Sequence, residues 1–159
     1  MRALMLGLGL TLAAATAAFA QPAIAKWPPW LSIETPVNPF DQTTRGAVML
    51  VHARTHDGVV KLSDLTGSAE GIENGRRRSI ALRFDATAQP GVFAVRRQWP
   101  EGGTWLIRIA LERTTAIVTF DSAGNVASVR VPTNLVQGQP IPRAVAAQEI
   151  DSTLALSRR

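Results

Sequence analysis

His52 and His56 are the only imidazoles in a chain of 159 residues that has neither cysteine nor tyrosine. With Met49 close by, they form the sharpest chemical candidate, because thioether and imidazole donors together suit copper. Geometry sets a condition on that reading. If residues 47–53 form a strand, His52 and His56 share a face but lie about 13 Å apart at roughly 3.3 Å per residue. Met49, three positions from His52, points to the opposite face. A bulge or turn near Arg54-Thr55 would have to draw the ligands together, with Asp57 joining at the Asp57-Gly58 turn. The expected cofactor is therefore none, with copper as the alternative.

Catalytic arrangements find less support. No Gly-x-Ser-x-Gly elbow occurs to present a serine to either histidine. His56 and Asp57 are neighbours and face opposite ways in an extended chain. Asp64, Glu70, Glu73 and Glu101 fall in or beside expected loops, where a carboxylate is solvated. The chain is accordingly read as a non-enzyme.

A candidate binding surface has two parts. Arg76-Arg77-Arg78, with Arg83 and Arg96, is the densest positive cluster in a chain of net charge +5. Such a surface favours anionic partners, including phospholipid head groups and acidic polysaccharide. Its plain alternative is a solvated loop whose remaining arginines pair with Asp85 and nearby acids. The second part is aromatic. Trp27-Pro28-Pro29-Trp30 either presents its rings to a partner or lays them over a sheet edge. Trp99, before Pro100, either caps the core or stays partly exposed.

The elements that must position these residues are strands. Between Arg45 and Thr133 apolar residues alternate with period two, interrupted by Gly, Pro, Asn and Asp. Strands are expected at 31–34, 47–53, 59–65, 80–85, 92–99, 105–111, 116–120 and 126–131. Residues 67–78 read as a polar connection and 136–142 as a Pro/Gly linker. A short helix is expected within 143–156 through Ala146, Ile150 and Leu154. Ile80, Leu82 and Phe84 should share one face, as should Trp105, Ile107, Ile109 and Leu111. This pattern predicts an all-β, immunoglobulin-like antiparallel sandwich of about seven or eight strands.

Residues 1–20 read as a cleaved signal helix: Arg2, an uncharged run from Leu4 to Ala18, and a small-x-small site at Ala18-Phe19-Ala20. A second such triplet, Ala23-Ile24-Ala25, leaves two cleavage positions open. The run is shorter than the roughly 20 residues of a comfortable span. Removing residues 1–20 leaves 139 residues, enough for one core and too few for two ordinary domains. The expected organisation is a signal at 1–20, a Pro/Trp-rich lead-in with the first strand at 21–44, the sandwich at 45–133, and a linker and tail at 134–159. Localisation is expected to be periplasmic or secreted, which disfavours nucleic acid as a partner.

One stretch carries a likeness. Pro90-Gly91-Val92-Phe93, then Gly103-Thr104-Trp105-Leu106-Ile107-Arg108-Ile109, resembles the signature of YtkA-like and FixH-like extracytoplasmic domains. Arg45-Gly46 before the Val48 strand is similar to the family's lead-in, so the resemblance spans about residues 45–112. It implies the sandwich fold and, for FixH-type members, an association with copper delivery to respiratory oxidases. The expected function is an exported, non-enzymatic accessory or binding module acting on an envelope protein or an anionic envelope component. Periplasmic copper binding through His52 and His56 is the alternative.

Overall fold

A computed structural model of the chain describes residues 27–56, 58–73 and 75–156. The signal at 1–20 and Asp57 lie outside the described residues. Eleven strands and one helix are present among the described residues: β1 (Trp30–Glu34), β2 (Ala47–Arg54), β3 (Leu65–Glu73), β4 (Arg76–Ala81), β5 (Asp85–Ala86), β6 (Val92–Arg96), β7 (Trp105–Leu111), β8 (Thr114–Phe120), β9 (Val126–Arg130), β10 (Thr133–Val136), β11 (Gln139–Pro142) and α1 (Ala147–Leu156).

The strands form a four-stranded sheet ordered β1-β2-β6-β5, a five-stranded sheet ordered β4-β3-β7-β8-β9, and a separate β10-β11 ribbon. Every pairing is antiparallel. Lettering β1 to β8 as A, B, C, C′, D, E, F and G gives A-B-E-D facing C′-C-F-G, the immunoglobulin arrangement. β9 extends the second sheet by one strand.

Alternation builds the core between the sheets. Leu31, Met49, Val51, Phe93 and Val95 point inward from the first sheet. Trp105, Ile107, Ile109, Val118 and Phe120 meet them from the second. Leu82 and Phe84 are buried on the expected face, with Ile80 partly buried against the same core. On the outer face of the five-stranded sheet, Ile150 and Leu154 of α1 join Val145 over Leu106 and Ile117. The helix is therefore part of the domain, as is β1, which pairs with β2 along its whole length. Pairing and packing thus continue on both sides of residues 45–133.

Three sequence expectations are corrected. The strand expected at 59–65 is a single bridge at Val59 and a 3₁₀ turn at Leu62–Asp64; the strand starts at Leu65. Asp64 caps that turn by accepting the Lys61 amide at 2.9 Å. The polar connection at 67–78 is largely the β3-β4 hairpin. Its inward positions Gly67 and Gly71 are bare because rings fill the space. A Cβ on Gly71 would lie 2.5 Å from the Trp105 ring, and one on Gly67 would lie 2.7 Å from Phe84. The linker at 136–142 is the turn and second strand of the β10-β11 hairpin.

Candidate functional site

The site grows from the Trp27-Pro28-Pro29-Trp30 arm. Proline lacks an amide donor, so the arm is held through a carbonyl. Buried Pro29 accepts a 2.6 Å hydrogen bond from the Thr114 hydroxyl at the start of β8. Trp27 and Trp30 flank this anchor and remain 54% and 59% exposed. Their rings are presented rather than laid over a sheet edge.

Beside the arm stands the β10-β11 hairpin. Gln137 and Gly138 form its two-residue turn, both with positive φ (51° and 80°), as a primed turn requires. Leu135 and Val136 precede the turn and are exposed. A cleft of about 470 Å³ is walled by Trp27, Val136, Gln139, Ile141 and Arg113. A second, of about 210 Å³, is walled by Trp27, Trp30, Arg54, His56 and Pro140. The first lies within the size range of ligand pockets. Arg54 stands opposite Trp30 on one side and Val59 on the other, so the three form one row. All of this lies at the sandwich end that carries the β2-β3 connection and the β7-β8 turn. In antibody variable domains the loops of that end bind antigen.

The metal candidates are not brought together. Met49 is fully buried between the sheets. His52 lies on the outer face of the four-stranded sheet, opposite Ser32, where its Nε2 is 2.8 Å from Glu34 Oε2. His56 follows β2 and lines the smaller cleft. Among the described residues no group of three or more His, Cys, Asp or Glu side chains is placed to hold a metal ion.

The arginine cluster is divided as well. Alternation along β4 turns Arg77 to the outer face, where it bonds Asp151 of α1 and the buried Glu70. Arg76 and Arg78 face the other way, and Arg78 pairs with Glu73. Arg96 pairs with Asp85, while the Gln98 amide bonds the carbonyls of both Arg83 and Arg96. These contacts serve strand and helix docking more than a common surface.

Of the two readings of Trp99, burial favours the core and removes it from the candidate binding surface: it is 3% exposed and packs at 5.1 Å on Phe120, with the Arg97 guanidinium over both rings. Its hydrophobic surface belongs to the core, and its buried indole N–H has no hydrogen-bond partner among the described residues.

A third, polar groove of about 650 Å³ runs between the end of β9 and α1, lined by Arg130, Thr133, Arg143 and Glu149. Arg143 donates to both Glu149 oxygens, at 2.7 and 2.6 Å. These hydrogen bonds hold the Glu149 carboxyl down to about 2. The pair fastens the start of α1 to the strand before it.

Sequence reasoning found Trp27 and Trp30 but missed Leu135, Val136 and Val59 as their neighbours. The available signal was Val136-Gln137-Gly138-Gln139, a Gly-containing two-residue turn after the apolar Leu135-Val136, obscured by Pro140 and Pro142. Comparison of the chain with protein-family models, curated proteins and solved structures finds no match. No helix among the described residues is long and apolar enough to cross a membrane.

Proposed function

We infer that this chain is an exported, non-enzymatic binding module of the bacterial cell envelope, acting through contacts made at the loop end of its sandwich. The observation that carries the reading is the pair of exposed indoles, Trp27 and Trp30, fixed by the Thr114–Pro29 hydrogen bond beside two clefts. Aromatic rings held on a rigid scaffold are efficient recognition groups, since they offer large area at small entropic cost. The apolar run at 4–18 and the cleavage-like Ala18-Phe19-Ala20 support export. So does the likeness of residues 90–109 to exported YtkA-like and FixH-like domains. Gly91 shows why that stretch needs its glycine. It has φ of 76°, and a Cβ there would stand 2.7 Å from the Ala53 carbonyl.

The test is fractionation of cells producing the chain, with mass determination of the recovered protein. Recovery outside the cytoplasm, beginning at Gln21 or Lys26, is the expected result. A chain held in the cytoplasm with its first twenty residues intact would refute the reading.

A further inference from the structure

Resting on that reading of an exported module, we propose that the loop end docks on an anionic lipid bilayer surface. Exposed apolar groups concentrate there. Of the large hydrophobic side chains exposed among the described residues, Trp27, Trp30, Val59, Leu62, Leu135 and Val136 belong to this end. The aliphatic members matter for the choice of occupant. A glycan uses indole faces and hydrogen bonds and gains little from Leu135 or Val136, whereas a lipid interface takes both kinds of group.

Charge selects the lipid. No acidic residue is among the described residues lining either cleft, while Arg54, Arg113 and His56 are, together with Arg143, whose charge is matched by Glu149. Arg54 sits in the middle of the row between Trp30 and Val59. A guanidinium there reaches phosphate while the neighbouring side chains enter the interface. Among the described residues the acids of this end are Asp64, turned back to cap the Lys61 amide, Glu112 in the β7-β8 turn, and Glu149, bonded to Arg143, and none of them lines either cleft.

The chain itself delivers this end. Eight residues separate the run at 4–18 from Trp27, a reach of about 30 Å at most. Until cleavage, the loop end is the part of the domain joined to that run through the fewest residues.

The chain has no cysteine, so one dye can be placed at will. Val136→Cys and Phe40→Cys, each labelled with an environment-sensitive fluorophore, compare this end with the exposed aromatic of the β1-β2 connection at the opposite end. The protein is taken as the cell exports it and mixed with phosphatidylethanolamine vesicles with and without phosphatidylglycerol. The expected result is a blue shift at position 136 and none at position 40, stronger with phosphatidylglycerol and weakened by salt. Trp27→Ala with Trp30→Ala should lower the partition coefficient about tenfold or more without moving the urea midpoint. Arg54→Gln should remove much of the phosphatidylglycerol dependence. No shift at position 136, or equal shifts at both positions, overturns the proposal. Binding to isolated cell-wall glycan in place of vesicles, lost in the same tryptophan variants, also overturns it. In each of these cases the recovered, exported protein leaves the binding-module reading standing. Retention in the cytoplasm removes that reading and this proposal together.

Discussion

Replacing Thr114 by valine tests whether one hydroxyl holds the candidate surface in place. The side chain is fully buried, and its 2.6 Å hydrogen bond is the contact to the arm through the Pro29 carbonyl. Valine keeps the volume and removes the donor. An acceptor left buried without its partner costs about 1–3 kcal/mol, and that is the expected loss in urea unfolding if the arm stays seated. Residues 27–29 can instead lift away and solvate the carbonyl, which caps the loss and frees Trp27, while Trp30 stays paired with Arg54 as the first residue of β1. Stability alone does not separate these outcomes from simple core damage, so Thr114→Ser is the control. Serine keeps the hydroxyl and gives up a buried methyl, worth roughly 1 kcal/mol. With 5-fluorotryptophan incorporated, the fluorine resonance of Trp27 should sharpen in the valine variant and stay broad in the serine variant, while that of Trp30, paired with Arg54, holds in both. Those of Trp99 and Trp105, both in the core, should hold in both. A valine variant within about 0.5 kcal/mol of the parent, with an unchanged Trp27 line, would show that the arm is held by something else.

Three further outcomes follow from the packing and the charges. Gly71→Ala sets a Cβ 2.5–2.7 Å from three atoms of a Trp105 ring pinned by its N–H to the Gly102 carbonyl at 3.0 Å. A urea midpoint lowered by the equivalent of about 1–3 kcal/mol is expected, with most of that loss absent when Trp105→Leu is combined with it. The Glu149 carboxyl is held near 2 in the fold, below its ordinary value of 4.5, so its pairing with Arg143 stabilises fully above pH 4.5. That contribution fades as pH falls toward 2; thermal midpoints should show this slope in the parent and lose it in Glu149→Gln. Copper titration followed by calorimetry should give no tight one-to-one site, because His52 engages Glu34 on one face and Met49 lies in the core. Tight binding abolished by both His52→Ala and His56→Ala would reverse that expectation.

What the sequence made legible was the part of the fold built by unbroken alternation. Trp105 to Leu111 satisfies the inward and outward rule at every position, and its strand appears where the pattern puts it. The β3-β4 hairpin was hidden for a physical reason. Gly67 and Gly71 carry no bulk because Phe84 and Trp105 supply it from elsewhere in the chain, so a core-facing pattern reads as a loop. The Arg76-Arg77-Arg78 run misled in the opposite sense. Adjacent charges look like one patch in sequence, but a strand sends them to alternate faces, and each face supplies its own acids. Trp99 went to the core because Phe120 and Arg97, distant or silent in a local reading, build a slot for its ring.

The candidate surface was legible only in half, and the missing half explains why the topology matters. In this sandwich the first strand begins at the end where β2 leaves for β3 and β7 turns into β8. A segment preceding β1 must therefore emerge among those loops. The ribbon after β9 returns to the same end, since the Arg143 carbonyl accepts the Thr115 amide beside the Thr114 anchor. Two segments remote in sequence, 27–30 and 133–142, thus become the walls of one cleft. Neither is a surface by itself: residues 27–29 lie outside any strand, and an isolated ribbon of this length is marginal in water. Their common dependence on the start of β8 makes the surface a property of the folded sandwich. Loss of the Thr114 hydroxyl should therefore weaken contacts made by Trp27 and contacts made by Val136 together, although only the arm, through the Pro29 carbonyl, is bonded to it.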